Sequence, residues 1–249
     1  IQRTTRQMNL ADAGRQFYER ARRILSDLDE AEQLATDDNF ALSGTLRISV
    51  PLTFGNTVLS PILNDFLLQN PDLNMDITMT DRRLDLLEDG FDAIVRIGTL
   101  EDSSLIARKL TDVRMLITAS PAFLETHGPI SKLEDINDKA GLIYSNARGV
   151  SGQWNCIDEN GDKQSVRLAV RMRCTDGTAL MKAAIDGLGL VMEPDFILSE
   201  AINKDELLPV LPHLDWGSLG VYILYPQNRH VPARLRALID HLATALKSK

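Results

Sequence analysis

The most regular hydrophobic pattern in the chain lies near its beginning. From Leu10 to Ala35 there is no proline, and apolar residues recur at alternating steps of four and three, at Phe17, Ala21, Ile24, Leu28, Ala31 and Ala35. This spacing is the a/d seam of a coiled coil, and it predicts one long helix. Because the apolar stripe is narrow and its alanines permit close approach, the pattern favours a dimerisation helix over a helix packed inside a domain.

After Ser43 the period changes to an alternation of strands and helices. Alternating or continuously apolar segments predict strands at 45–50, 73–80 and 92–98. Helices are expected between them, at 58–67 and 82–90. Two consecutive strand segments are expected within 104–120. Strands that alternate with helices indicate a parallel sheet with right-handed crossovers.

A second unit of the same kind is expected to begin near Pro121. The same patterns predict strands at 141–145, 166–174 and 189–194, with helices at 175–187 and 195–201. A strand at 219–226 and an amphipathic helix at 231–246 follow. The pattern alone does not decide whether these last elements return to the first unit. If they do, the chain crosses twice between two units, which makes a hinge beside a natural ligand cleft.

Charge divides the chain unevenly. The net charge is −8, so a body that binds nucleic acid would be surprising. Residues 1–25 carry six arginines against Asp12 and Glu19, whereas residues 26–38 carry six acidic residues and no basic one. Only the first segment therefore has the sign that suits a phosphate backbone. The sequence also shows neither an apolar run long enough to span a membrane nor a signal peptide, so a cytoplasmic protein is expected.

Motifs for catalysis or metal binding are not found. The four histidines have no metal-binding spacing, and neither a G-x-S-x-G elbow nor a P-loop occurs. We therefore expect no enzyme activity, no metal and no cofactor. The two cysteines, Cys156 and Cys174, are expected to be free buried thiols in a reducing compartment. A nucleophilic or oxidant-sensing role for either is the less favoured alternative.

Residues 3–32, RTTRQMNLADAGRQFYERARRILSDLDEAE, resemble the wing and linker helix of LysR-type transcriptional regulators. The sequence departs from that family at Ala11, where a threonine or serine is usual, and Asn9 or Asp12 could cap the helix instead. Further pieces match in order and spacing, namely GTLRISVPLTFG, FLLQNPDLNMDI, DAIVRIGTLEDSSLIARKL, SPAFLETHG and MKAAIDGLGLVMEPDFI. The resemblance thus covers essentially the whole chain.

The resemblance implies an α/β fold of two Rossmann-like lobes, like that of periplasmic binding proteins, behind a long linker helix. It divides the chain into a wing remnant at 1–9, the linker helix at 10–38, lobe I at 44–118 with 219–249, and lobe II at 119–218. The helix-turn-helix that reads DNA would lie upstream of this chain. Arg3 and Arg6 would then contact the DNA backbone, although a solvated basic terminus explains them equally well.

Ligands of open parallel sheets bind outside the carboxyl ends of the strands, where helices begin. Together with the resemblance, that rule selects Leu52, Thr53, Arg96, Gly98, Thr99, Ser145, Asn146, Thr175, Asp176 and Glu193 as effector-binding candidates. Structural roles compete with these assignments. Thr53 and Asp176 could cap helices, and Gly98 could serve only a turn. Arg96 could hold a carboxylate effector, but an internal ion pair is the favoured interpretation.

The function implied is that of a DNA-binding transcription regulator, controlled by a small-molecule effector that binds between the two lobes. Its partners would be the effector, promoter DNA and further copies of the chain in a homodimer or homotetramer. A periplasmic-type solute-binding protein is the alternative, since it would share the two-lobed body. The heptad helix and the R-T-T-R start argue against it. An enzyme on the same scaffold is a third hypothesis, and no motif supports it.

Overall fold

The computed structural model describes residues 2–4, 7–9, 14, 17, 21, 42–82, 84–86, 88–100, 104–145, 152–227 and 231–247. Near the beginning, strands β1 (Gln2–Thr4) and β2 (Gln7–Asn9) pair antiparallel. Gly14, Phe17 and Ala21 are helical, as the heptad pattern predicts, and Phe17 is 75% exposed. The rest of the predicted helix at 10–38 lies outside the described residues. Arg3 belongs to β1, and Arg6 also lies outside the described residues.

Eleven further strands are described along the chain. They are β3 (Gly44–Val50), β4 (Leu73–Met79), β5 (Ala93–Ile97), β6 (Leu105–Ala119), β7 (Ala140–Tyr144), β8 (Gln153–Ile157), β9 (Lys163–Arg167), β10 (Ala169–Cys174), β11 (Leu190–Pro194), β12 (Leu208–Pro209) and β13 (Ser218–Pro226). Nine of these form one sheet in the order β10-β7-β11-β6-β13-β5-β3-β4, with β12 paired to β6. Strands β8 and β9 form a separate antiparallel pair.

The described helices connect these strands. They are α1 (Leu52–Phe54), a π-helical turn (Gly55–Leu59), α2 (Ser60–Gln69), α3 (Pro121–His127), a 3₁₀ turn (Leu133–Ile136), α4 (Gly177–Ile185), α5 (Asp195–Asn203) and α6 (Ala233–Lys247). A glycine is needed where α1 enters the π-helical turn. A Cβ on Gly55 would lie 2.7 Å from Val50 Cγ2, so the missing side chain lets the helix begin close against β3.

The long strand β6 serves two parts of the sheet. Its first ten residues, 105–114, pair antiparallel with β13, and residues 115–118 pair antiparallel with β11. We call the part with β3, β4, β5, β13, α2 and α6 the first half of the sheet. The part with β7, β10, β11, β12, α3, α4 and α5 is the second half. One continuous strand therefore joins the two halves.

Pairing in the first half confirms the predicted parallel sheet and decides the open question about the last elements. Strand β3 runs parallel to both β4 and β5. Strand β13 returns to this half, where it pairs antiparallel with β5 and β6. The last helix, α6, returns with it, because its buried residues belong to the same core as those of β3.

Three predicted segments differ from the structure. Segment 104–120 forms one strand, because β13 and β11 pair with it in succession and leave no turn. The strand predicted at 166–174 is divided at Leu168, where the backbone changes partners: Leu168 N–H donates to Gly152, and Ala169 N–H donates to Lys139. In place of a helix at 82–90, the described residues 84–86 and 88–90 form irregular structure and turns.

Each half has its own hydrophobic core. In the first half, apolar residues of β3, β5, α2 and α6 pack together, among them Ile48, Val50, Leu63, Val95, Leu238 and Leu242. In the second half, two clusters cover opposite faces of the sheet, around Phe123 and Trp154 on one side and around Leu180 and Leu198 on the other. Among the described residues, no helix is both long and apolar enough to cross a membrane.

Replacing Leu242 with alanine should destabilise the first half strongly. Leu242 is fully buried on α6, so its loss removes apolar contacts and leaves a cavity, which costs about 2–5 kcal/mol. Leu68→Ala is the matched control, because Leu68 is 83% exposed on α2 and its loss should change the free energy of unfolding by less than about 0.5 kcal/mol. Denaturant unfolding measures both, and equal effects would contradict the packing of α6 described here.

Candidate functional site

The beginnings of two helices face each other between the halves. Helix α1 starts directly after β3 in the first half, and α4 starts after β10 in the second. The hydroxyl oxygens of Thr53 and Thr178 lie 3.2 Å apart and share a hydrogen bond. Beside them, the rings of Phe54 and Phe196 meet edge to face with centroids 5.1 Å apart. The halves are therefore in direct contact at this point, and it is here that candidate residues from both halves meet.

Both helix beginnings are capped by carboxylates of the chain itself. Leu52 N–H donates to Asp81 at 3.1 Å, and Thr178 N–H donates to Asp176 at 2.8 Å. A carboxylate is favourable there because unpaired N–H groups give a helix N-terminus a partial positive charge. The capping interpretation of Asp176 is thereby confirmed. The candidate set from the sequence does not include Asp81, although it stands two residues after β4 and the strand-end rule, applied to that strand, would have found it.

Glu193 is the most buried charged group of this region. It lies at the end of β11 and is 3% exposed, and among the described residues its Oε1 has no hydrogen-bond partner. Its other oxygen lies against the start of α4, since a Cβ on Gly177 would be 2.9 Å from Oε2. Burial raises the pKa of Glu193 to about 8, and the charges of Asp176 and Asp81 act in the same direction. At neutral pH this carboxyl therefore holds its proton.

Arg96 lies on the first-half side of the same cluster. It is half-buried in β5, and its positive charge lowers the pKa of the Asp81 carboxyl. Burial is the larger effect on Asp81 and raises its pKa, while the hydrogen bond from Leu52 N–H lowers it and the charge of Asp176 raises it. The positive charge of Arg96 thus acts on an acid of the chain, and the ion-pair interpretation of Arg96 stays a prediction. We call Asp81, Arg96, Asp176 and Glu193 the interhalf cluster.

The remaining candidates that the structure describes lie just beyond strand ends. Gly98 follows β5 with a φ of 122°, and its N–H donates to Gly220, so it makes a turn that favours glycine. Thr99 and Thr175 are exposed, and Ser145 N–H donates to the carbonyl of Cys174. Asn146 lies outside the described residues. For all the candidates, a role in effector binding stays a prediction.

Two other features were considered as sites. Both cysteines are free; Cys156 is buried, and burial raises the pKa of its thiol, whereas Cys174 is half-buried. A groove of about 390 Å³ lies between α2 and α6, lined by Leu42, Phe66, Gln69, Asn70, Ala237, Asp240, His241 and Thr244. In the described part of the chain, no group of three or more histidine, cysteine or acidic side chains is arranged to hold a metal ion.

Comparison with known proteins decides the family. The model of the LysR substrate binding domain matches residues 41–247. The chain belongs to the LysR family of transcriptional regulators. It is 36% identical over 239 residues to an uncharacterized HTH-type transcriptional regulator of Haemophilus influenzae, a match that covers 96% of this chain and 82% of that protein. It is 30% identical to the HTH-type regulator YhjC of Escherichia coli, over 99% of this chain and 83% of the relative.

Solved structures of LysR-type regulators have the same fold. CrgA from Neisseria meningitidis, described as a LysR-type transcriptional regulator, superposes with a TM-score of 0.72 at 27% identity, covering 98% of this chain and 83% of that one. The expected α/β fold, like that of periplasmic binding proteins, is confirmed, and so is a transcription regulator with an effector-binding domain. The solute-binding alternative is not supported by these relatives, which are named as HTH-type regulators.

Replacing Glu193 with glutamine should remove a pH dependence of stability. Because the folded pKa of about 8 is above the ordinary value of 4.5, the folded LysR domain binds more protons than the unfolded chain between these values. Stability therefore falls as the pH rises from 4.5 to 8, by at most about 1.4 kcal/mol per pH unit from this group. In Glu193→Gln the slope should be reduced and stability at pH 8 increased.

Denaturant unfolding at a series of pH values measures this slope. Glu206→Gln is the control, because Glu206 is exposed on the surface and its loss should leave the slope as in the wild type. An unchanged slope in Glu193→Gln would show that the Glu193 carboxyl is not held protonated in the folded protein.

Proposed function

We propose that this LysR-type regulator senses a small-molecule effector between the two halves of its sheet, at the interhalf cluster and the facing starts of α1 and α4. The observation that carries the proposal is that charged groups from both halves act on one another there, next to the hydrogen bond between Thr53 and Thr178. A ligand at this point would contact both halves at once. Leu52, Thr53, Arg96, Asp176 and Glu193 would be its nearest contacts.

The proposed division of the chain follows the same boundary. Lobe I would comprise 44–118 with 219–249, and lobe II would comprise 119–218. The separate cores of the two halves support this division, and the second half's pairing with residues 115–119 of β6 argues for a boundary a few residues earlier than 118. Strands β6 and β13 would then be the two connections about which the lobes move.

In the proposed mechanism, the effector changes how the lobes sit relative to each other. It can shift that equilibrium only by its difference in affinity for the two arrangements. Contacts to both lobes supply such a difference, because they exist only where the lobes are close. The movement would alter the placement of the subunits and hence the grip on DNA of a helix-turn-helix upstream of residue 1. Such a regulator would act in the cytoplasm, where the DNA is, and would need no catalytic step.

Assembly would depend on the heptad helix at 10–38. The exposed side chain of Phe17 supports this proposal, because an aromatic residue on an apolar seam is stabilised when a second helix covers it. We therefore propose a homodimer through this helix, with a homotetramer as the larger assembly. Arg3 and Arg6 would lie on the DNA side of the same segment and contact phosphate.

A metabolite screen by thermal shift tests the proposed site. A ligand at 100 times its Kd should stabilise the protein by about 2.7 kcal/mol and raise its Tm. Thr53→Val and Thr178→Val remove hydroxyls that face each other across the lobes, so each should weaken a genuine effector by about 0.5–1.5 kcal/mol. Thr126→Val, which removes a hydroxyl hydrogen bond on α3, is the control. Ligands that raise the Tm of both threonine variants as much as that of the wild type would contradict this site.

Phe17→Glu should dissociate the assembly. A charge placed on the apolar seam would be buried without a partner in the paired helices, which is unfavourable by several kcal/mol. Sedimentation velocity at micromolar concentrations should show a dimer or larger species for the wild type and a monomer for the variant. Ser26→Glu is the control, because residue 26 lies opposite the seam in the heptad and should leave the assembly intact. A wild-type chain that sediments as a monomer would refute the proposal.

A further inference from the structure

The interhalf cluster is unsuited to an anionic ligand. Free N–H groups at a helix N-terminus bind carboxylates and phosphates, and the starts of α1 and α4 would offer two such sites. Here Asp81 already accepts from Leu52 N–H and Asp176 already accepts from Thr178 N–H. A ligand that approaches these two helices therefore meets carboxylate oxygens where free donors would otherwise be. An incoming anion would be repelled by the charges of these two caps.

Acidic groups outnumber basic ones in this cluster. It contains three carboxyls, those of Asp81, Asp176 and Glu193, and one cation, Arg96. Burial is the largest cause of the raised pKa of Glu193 and of Asp81; the charges of Asp176 and Asp81 raise the pKa of Glu193 further, and the charge of Asp176 raises that of Asp81, which Arg96 lowers. The three carboxyls come from both halves, with Asp81 in the first and the other two in the second. Like charges that act on one another across the halves are unfavourable unless a cation compensates them.

Glu193 supplies a second and independent observation. Glu193 is only 3% exposed, and its Oε1 has no hydrogen-bond partner among the described residues. Its carboxyl borders the cluster, because Oε2 lies against Gly177 at the start of α4, the residue that follows Asp176. A buried polar atom without a partner is unfavourable by about the value of a lost hydrogen bond. A donor that arrives with a ligand would satisfy it.

We propose that the effector presents a protonated amine to Asp81, Asp176 and Glu193, so that its ammonium group bridges the two halves. This inference rests on the proposed function, because it names the chemical class that the interhalf site would take. An ammonium group has three N–H donors, which matches three carboxyls that converge from two sides. By neutralising acids of both halves, it would stabilise the arrangement in which the halves are close, which is the differential affinity that sensing needs.

Binding should also release a proton. In the empty site Glu193 keeps its proton at neutral pH, and an adjacent ammonium favours the ionised carboxylate. The groups that act on it are Asp176 at the start of α4 and Asp81 beyond the end of β4, with Arg96 of β5 next to Asp81; Asp195 of α5 is paired with Arg114 of β6. Amine affinity should therefore rise between pH 6 and pH 8, while the ligand amine itself stays protonated.

Matched ligands test the amine requirement. The panel pairs n-butylamine, 1,4-diaminobutane and 1,5-diaminopentane with butanoate, succinate and glutarate, and adds tetramethylammonium, which has charge but no N–H donor. Thermal shift and calorimetry on the full chain should show binding by at least one amine at concentrations up to about 10 mM, with none by the carboxylates or by tetramethylammonium. If no amine binds, or if a carboxylate binds more tightly than its matched amine, the inference is overturned.

Variants then place the amine. Asp81→Asn and Asp176→Asn keep an oxygen that can cap the helix and remove the charge, so both should fold, and each should weaken the amine about tenfold or more. Glu193→Gln should do the same and abolish the rise of affinity between pH 6 and pH 8. Asp72→Asn, on the surface, is the control. Amine binding unchanged in all three variants would overturn the inference.

The two proposals can fail separately. Suppose a ligand from the wider metabolite screen loses affinity in Thr53→Val and Thr178→Val but carries no amine and is unaffected by Asp81→Asn. This result would support effector binding at the interhalf site and contradict the amine inference. If ligands of every class bind Thr53→Val and Thr178→Val as tightly as the wild type, the proposed interhalf site itself is contradicted.

Discussion

The arrangement of the molecule depends on strand β6, which belongs to both halves of the sheet. Its first ten residues are held by β13 and its last residues by β11 and β12. The two cores are therefore built separately and joined through β6, and the helix starts at the carboxyl ends of β3 and β10 lie face to face.

That face-to-face placement determines the chemistry of the site. Each helix start carries a partial positive charge, and each is met by an aspartate of its own half. Each of these two charges is thus compensated within its own half, and both carboxylates lie where the halves meet. Glu193, buried behind the start of α4, adds a carboxyl whose pKa is raised to about 8 by burial and, to a lesser extent, by the charges of Asp176 and Asp81. A cluster of this kind is sensitive to any ligand that brings positive charge or hydrogen-bond donors.

Much of the fold could be predicted from the sequence, because its elements are regular. The strands at 45–50 and 73–80 and the helix at 231–246 were predicted from local periodicity, and they form in the structure at nearly the same residues. The strand at 166–174 was wrong as a single element because its break at Leu168 comes from a change of partner, which no local pattern records. Segment 104–120 was predicted as two strand segments, but β13 pairs with it as far as Arg114 and β11 from Met115 onward, a succession of partners that no local pattern shows.

The candidate site was predicted less completely, and the reason is again physical. Strand ends can be read from a sequence, and they pointed to Thr53, Asp176 and Glu193. The same rule, applied to β4, would have named Asp81. Its hydrogen bond with Leu52 N–H could not be predicted in this way, because the two residues are 29 apart in the chain and meet only after β3 and β4 pair. The family resemblance located the region but not its charge. The excess of acids over bases became visible only when both halves were in place.

A crystal structure of the chain with a ligand that raises its Tm would test this account most directly. The account predicts that the ligand lies between the halves, with a donor group within hydrogen-bond distance of Asp176 and Glu193 on one side and Asp81 on the other. A ligand bound instead in the groove between α2 and α6, beside Phe66 and His241, with the interhalf cluster unchanged, would contradict it.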